Sequence, residues 1–246
     1  MPHHHHLRSR GLASAAVLLT LAACDVGRPH VADTTSSPST RPSWSLLGAE
    51  SDGALLDAGS YGLVAAGQRV KNIAVVRAPA GYRSFGGWTF VAQEGPFRSL
   101  GYWTADRVFR DPCSPGAPDK RDGLRDPGPR VDDLASALSA QRWAGTSDPV
   151  PTRVDGFDGL YLDYQVPSHL DLARCERRAF DVFTASPEDR HGWFLAAAGE
   201  RAAIWILDVE GQRVVLSWVA MPGSTAEQRQ ELSVMARSTN FERPRS

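Results

Sequence analysis

Residues 202–219, AAIWILDVEGQRVVLSWV, constrain the fold more than any other stretch, because two runs of β-branched and aromatic residues flank a turn sequence. The stretch reads as a β-hairpin. A two-residue loop would hold Glu210 at positive φ, which a Cβ resists, so the sequence favours a three-residue loop with Gly211 left-handed. That loop opposes Asp208 to Gln212. It sets Ile204 and Ile206 on one face with Val214, Leu216 and Trp218, and Trp205 and Leu207 on the other with Val215. Both faces are apolar, so the pair belongs in the middle of a sheet that is covered on both sides.

The chain begins with a polar, cationic segment, MPHHHHLRSRG, followed by the short apolar run LASAAVLLTLAA. This is the pattern of a signal peptide, and the run is too short for an ordinary membrane span. It ends at Leu21-Ala22-Ala23-Cys24, which looks like a bacterial lipobox, in which the cysteine is lipidated and the peptide is cut just before it. Residues 1–23 are therefore expected to be a lipoprotein signal peptide, and Cys24 the lipidation site. The His3 to His6 run would leave with that leader. Residues 24–43 are rich in Ser, Thr, Pro and Arg with almost no large apolar side chain, so they read as a lipidated, disordered tether. Residues 44–246 form the globular part. Removing the leader, which carries Arg8 and Arg10 and no acid, lowers the formal charge from −1 to −3, and no basic footprint for nucleic acid is present.

Within the globular part the sequence predicts short strands over 55–70, and a hairpin of 73–76 with 88–92 across the turn Pro79-Ala80-Gly81-Tyr82. A further strand is expected over 101–109, then a Pro/Gly/Asp-rich loop over 114–130. Asp132 or Asp133 caps a helix to about Arg142. Strands 152–154 and 160–166 flank a turn-rich insert, residues 155–159. One helical turn over 169–175 precedes a strand over 180–185 and a loop containing His191 and Trp193. Ser224-Thr225-Ala226-Glu227 is a capping box opening a helix to about Arg237, with Leu232, Met235 and Ala236 inward and Phe241 pinning the chain's end to the core. The sum is an α+β fold: a single domain, one mainly antiparallel sheet, and at least two packed helices on its opposite faces.

Three cysteines leave two once Cys24 is acylated, and an anchored domain folds outside the cytoplasm, where thiols are oxidised. Cys113 and Cys175 are accordingly expected to form a disulfide, the alternative being two separate buried thiols.

Catalytic motifs are scarce. There is no Gly-x-Ser-x-Gly elbow, phosphate loop or dinucleotide fingerprint. The mature histidines His30, His169 and His191 are too dispersed for a zinc set. Asp119, Asp122 and Asp126 lack the ligand order and closing Glu of a calcium loop. Asp155 and Asp158 have the look of a carboxylate dyad, but in a Gly-rich turn they read as turn formers. Tyr82, Trp88, Trp103, Tyr161 and Trp193 fall near strand ends or in loops, where aromatic rings either line a groove or complete the core; the core reading is preferred.

The segments Pro79-Ala80-Gly81-Tyr82, Gly87-Trp88, Tyr102-Trp103, Asp111-Pro112-Cys113, Gly156-Phe157-Asp158-Gly159, Val166-Pro167, Cys175 and Ile206-Leu207-Asp208-Val209-Glu210-Gly211 follow one another in a distinctive order. In this the chain resembles a family of uncharacterised actinobacterial secreted proteins and lipoproteins, over residues 55–241. The resemblance implies a structural scaffold without a known catalytic residue, and similar modules following a transmembrane helix imply sensing or binding. The last helix and residues 238–241 are similar in style to PsbP- or Mog1-like folds.

The expected function is a non-enzymatic, extracytoplasmic domain, anchored to the cell membrane by lipid, that binds an envelope ligand or protein partner without a cofactor or metal. Two other readings are a cell-envelope hydrolase, which requires convergent carboxylates, and an envelope assembly factor, which requires a large exposed apolar patch.

Overall fold

Strands dominate the chain. The computed structural model describes residues 43–113, 123–187 and 192–244; Cys24 and the tether lie outside them. In chain order the first strands are β1 (Ser45–Leu46), β2 (Leu55–Leu56), β3 (Gly59–Leu63), β4 (Ile73–Ala78), β5 (Tyr82–Phe85), β6 (Thr89–Ala92), β7 (Arg98–Trp103), β8 (Arg107–Phe109) and β9 (Leu124–Arg125). Helix α1 (Val131–Ser139) leads into β10 (Gly145–Thr146), β11 (Val150–Val154), β12 (Phe157–Gln165), β13 (Phe180–Thr184) and β14 (Trp193–Leu195). The central hairpin is β15 (Arg201–Val209) and β16 (Gln212–Ala220), followed by α2 (Ala226–Arg237) and β17 (Asn240–Glu242).

The single expected sheet is three. A nine-stranded antiparallel sheet runs β10-β12-β15-β16-β7-β6-β5-β2, with β11 also paired to β12. On one face lie the sheet β1-β3-β4-β17 and α2; on the other, the sheet β14-β13-β8-β9 and α1. Each face therefore has its own core. Leu63, Val76, Phe90, Tyr102, Trp205, Leu207, Leu216 and Leu232 belong to the first. The second holds Leu134, Leu138, Leu162, Tyr164, Phe180, Leu195, Ile204 and Ile206. The two-sided apolar hairpin predicted from residues 202–219 sits between these cores, and the helices lie on opposite faces as expected.

The hairpin's register differs from the expected one by a residue. Val209 opposes Gln212 and Asp208 opposes Arg213, so the loop is Glu210-Gly211 alone, both left-handed at φ 54° and 79°. This is a two-residue turn of the type whose twist suits a hairpin. Trp205 and Leu207 consequently share the first core with Val214, Leu216 and Trp218, while Ile204 and Ile206 share the second with Val215 and Val219. Magnitudes explain the outcome. A non-glycine residue in the left-handed region costs about 1–2 kcal/mol, whereas each large apolar side chain contributes about 1.5–3 kcal/mol on burial, and a one-residue slip would move the whole of β16 to the wrong faces. Asp208 Oδ1 also accepts the Gly211 N–H at 2.7 Å, closing the turn.

Other expectations need correction. The partner of β6 is β5, not β4, because Gly86 and Gly87, both at positive φ, reverse the chain between Phe85 and Thr89. The expected strand over 101–109 divides into β7 and β8, which belong to different sheets. The insert over 155–159 contracts to the turn Asp155-Gly156, again with both residues left-handed. Trp193 is in β14, not a loop, and His191 lies outside the described residues. The α1 N-cap is Arg130; Asp133 sits a turn inside and its Oδ2 accepts the Arg130 N–H at 2.9 Å. The α2 box is Thr225 with Gln228, one residue later than expected, while Leu232, Met235 and Ala236 face inward as predicted. Phe241 packs on the first core beside Tyr102 and Phe157.

Cys113 and Cys175 are joined by the expected disulfide, with Cα atoms 4.5 Å apart. Both are buried in the second core, although their neighbours in sequence are polar. The bridge fastens the segment after β8 to the short helical turn Leu172–Arg174 that precedes β13.

Candidate ligand groove

On its second face the nine-stranded sheet extends beyond the small sheet that covers it. In register, Phe85 opposes Thr89, Thr89 opposes Gly101, Ser99 opposes Val219 and Trp103 opposes Val215, so these side chains share that face. Glycine shapes the surface at two places. A Cβ on Gly101 would stand 2.6 Å from Trp103 Nε1 and 2.7 Å from Thr89 Oγ1, so the missing side chain makes room for the indole. A Cβ on Gly86 would stand 1.8 Å from the Trp88 ring, which folds over the turn in the same way. The two indoles meet edge to face, with centroids 6.4 Å apart and planes at 61°.

Trp193 stands behind them, buried and stacked on Phe183 at 5.2 Å, and Phe194 turns outward from the same strand. Phe97 and Met221 belong to the same lining, joined through the Met221 N–H donated to the Phe97 carbonyl. The result is a concave, mainly aromatic groove of about 350 Å³, within the range of small-ligand sites. Four of its large apolar side chains remain substantially open to solvent: Phe85 (41 %), Trp88 (36 %), Phe97 (44 %) and Phe194 (45 %). Rings of this size are gathered here rather than scattered singly over the surface.

The polar content of the groove is small and specific. Trp103 Nε1 and Thr89 Oγ1 are buried and have no hydrogen-bond partner among the described residues. Glu200, only 2 % exposed, is the sole ionisable side chain of the described lining. Its Oε2 accepts the N–H groups of Ala196 and Ala197, the latter at 3.0 Å. Desolvation raises its pKa above the ordinary glutamate value, and the two backbone N–H groups oppose that shift.

Of the aromatic residues singled out in the sequence, the fold brings Trp88, Trp103 and Trp193 together here. Tyr82 and Tyr161 go elsewhere: Tyr82 is buried in the first core with its hydroxyl donated to Glu231, and Tyr161 packs on Trp205. Phe85, Phe97, Phe194 and Glu200 were not foreseen. Phe85 beside Gly86-Gly87 and Phe97 after Gly95-Pro96 carried a readable signal, since large aromatics bordering turns lack a regular core face.

The acids considered in the sequence have structural partners. Asp155 Oδ2 accepts the Phe241 N–H at 2.7 Å, and Asp158 pairs with Arg153 at 2.6 Å. Asp119 and Asp122 lie outside the described residues; Asp126 accepts the Gly128 N–H. No cluster of three or more metal-ligating side chains occurs among the described residues. A second cleft, of about 390 Å³, mixes Asp106 and Asp126 with Arg69, Arg107 and Arg213. Arg213 is spent on the carbonyls of Ala105, Gly128 and Arg130. No protein-family model matches the chain, and no curated protein matches it.

Proposed function

We propose that this chain is a lipid-anchored, extracytoplasmic, non-enzymatic binding domain whose ligand occupies the aromatic groove. The carrying observation is the convergence of Trp88, Trp103, Trp193, Phe85, Phe97 and Phe194 on one concavity, four of these rings being substantially open to solvent. A ligand with an apolar body would cover the exposed rings. The address is supported by the lipobox at Cys24, by the resemblance to secreted actinobacterial lipoproteins, and by a buried disulfide, which suits an oxidising compartment.

A hydrolase would place at least two carboxylates around the substrate, and Glu200 stands alone in the described lining. The partner-binding variant of this reading is favoured by the four exposed rings, which would equally serve a protein surface. The test is titration of the domain with an uncharged environment-sensitive apolar dye, Nile red, in wild type and in Trp88→Ala with Phe194→Ala. Saturable dye binding that the double variant loses is the expected result. Equal binding by both proteins would reject the groove.

A further inference from the structure

The groove is apolar and aromatic, yet it contains one buried carboxylate and a positive charge already stands at its edge. The Arg177 guanidinium carbon lies 5.8 Å from the centre of the Phe194 ring, while the same guanidinium pairs with Asp181 at 3.2 Å. Trp88 and Trp103 form an open corner of two π-faces and edges. Glu200 adds a carboxylate whose hydrogen bonds from the described residues reach only Oε2. Aromatic faces attract cations through the ring quadrupole, most strongly where water is displaced.

From this juxtaposition we infer that the groove selects a small organic cation, a substituted ammonium, rather than a neutral apolar molecule. The inference rests on the binding reading above and adds the charge of the ligand. Charge complementarity argues for it: Glu200 is the sole ionisable group of the described lining, so no cation within that lining compensates it. A metal ion fits poorly, since hard cations require six or more oxygen ligands. A substituted ammonium sheds its water more readily and presents methyl or methylene surface to the rings. A groove of about 350 Å³ suits such a molecule free in solution.

The test compares choline with its neutral isostere 3,3-dimethylbutan-1-ol, which has the same shape and hydroxyl but no charge. Calorimetric titration should show choline binding at least about tenfold tighter, the ratio a desolvated cation–π contact supplies. Glu200→Gln should weaken choline binding and so narrow the gap between the two affinities. Trp88→Leu, at a partly exposed position that keeps apolar area and loses the π-face, should also erase the preference. Equal affinities in the wild type overturn the cation inference and leave the groove reading intact. Absence of binding by either compound overturns it as well, and the dye titration then decides whether the groove reading falls too. Recruitment to phosphatidylcholine vesicles without binding of free choline likewise rejects the free-cation assignment.

Discussion

At Gly101 the groove depends on an absent methyl group. Gly101→Ala should force the Trp103 indole off its bed at a cost of about 1–3 kcal/mol, the usual range for overpacking, and should shift tryptophan emission to longer wavelength as the ring becomes more exposed. Wild-type emission together with wild-type dye binding would show that the ring does not need the gap. Glu200 makes a pH-dependent contribution of defined sign. Because its folded-state pKa is raised above the ordinary 4.5, the native state holds the proton more tightly than the unfolded chain. The stabilising contribution is complete below pH 4.5 and is lost as pH rises through the folded value. Thermal melts across this window should fall with pH more steeply for the wild type than for Glu200→Gln, and parallel curves would contradict the burial described. Gly211 tests the turn. No atom stands within 4 Å of a Cβ built there, so only φ at 79° opposes a side chain. Gly211→Val should then cost about 1–2 kcal/mol by denaturant titration, and Gly211→Asn, which tolerates the left-handed region, clearly less.

At the scale of elements, a buried polar bracket joins the layers alongside apolar contact. Gln141 follows α1 and is buried; its Nε2 donates to the carbonyls of Phe109 at 2.7 Å and Val182 at 2.8 Å, and its Oε1 accepts the Tyr164 hydroxyl at 2.7 Å. One side chain thus joins the end of α1 to β8, β13 and β12. Gln141→Leu would remove those bonds without adding polar atoms, and a loss of about 2–4 kcal/mol in denaturant stability is expected; a change within about 0.5 kcal/mol would assign the bracket no energetic role. The sequence placed this position only within a helix running to about Arg142, whereas α1 ends at Ser139; the three-way satisfaction of the Gln141 amide depends on strands distant in the chain. The same reason hid β5: Tyr82-Arg83-Ser84-Phe85 alternates, but its inward Tyr82 and outward Phe85 acquire meaning only once β6 and β2 flank them. Regular periodicity was easier to read. The buried stripe of α2 was correct to the residue, while its cap moved from Ser224 to Thr225, since adjacent hydroxyls compete equally for the role and only backbone geometry decides between them.

Across the whole molecule, the two cores and the bridge between distant segments were legible for different reasons. The two-sided hairpin announced covering layers on both faces, but not that each layer would be a helix together with a small sheet, because five of the eight covering strands have only two or three residues and carry too little pattern. The cysteine pairing followed from counting and from the compartment expected of such a chain. Reduction of the Cys113–Cys175 bond, which spans 62 positions, should lower stability by about 4 kcal/mol in the chain-entropy treatment; urea titrations with and without reductant measure it, and coincident curves would mean that the bridge constrains nothing. For the anchor, Cys24→Ala should abolish metabolic labelling with a palmitate analogue, and undiminished labelling would reject the lipobox. The groove was less legible than the scaffold because its walls come from β5, β6, β7, β14 and the segment around Glu200, which only the finished fold assembles. The order of strands has a further consequence, for the time at which the molecule can exist at all. β7 waits for β16, and β4 waits for β17, at the far end of the chain. A polypeptide emerging N-terminus first, from a ribosome or through a membrane pore, therefore carries a half-sheet with a bare edge until its last segments arrive. Loss of residues 212–242 would take β16 from β15 and β7, and β17 from β4, and leave those edges permanently bare.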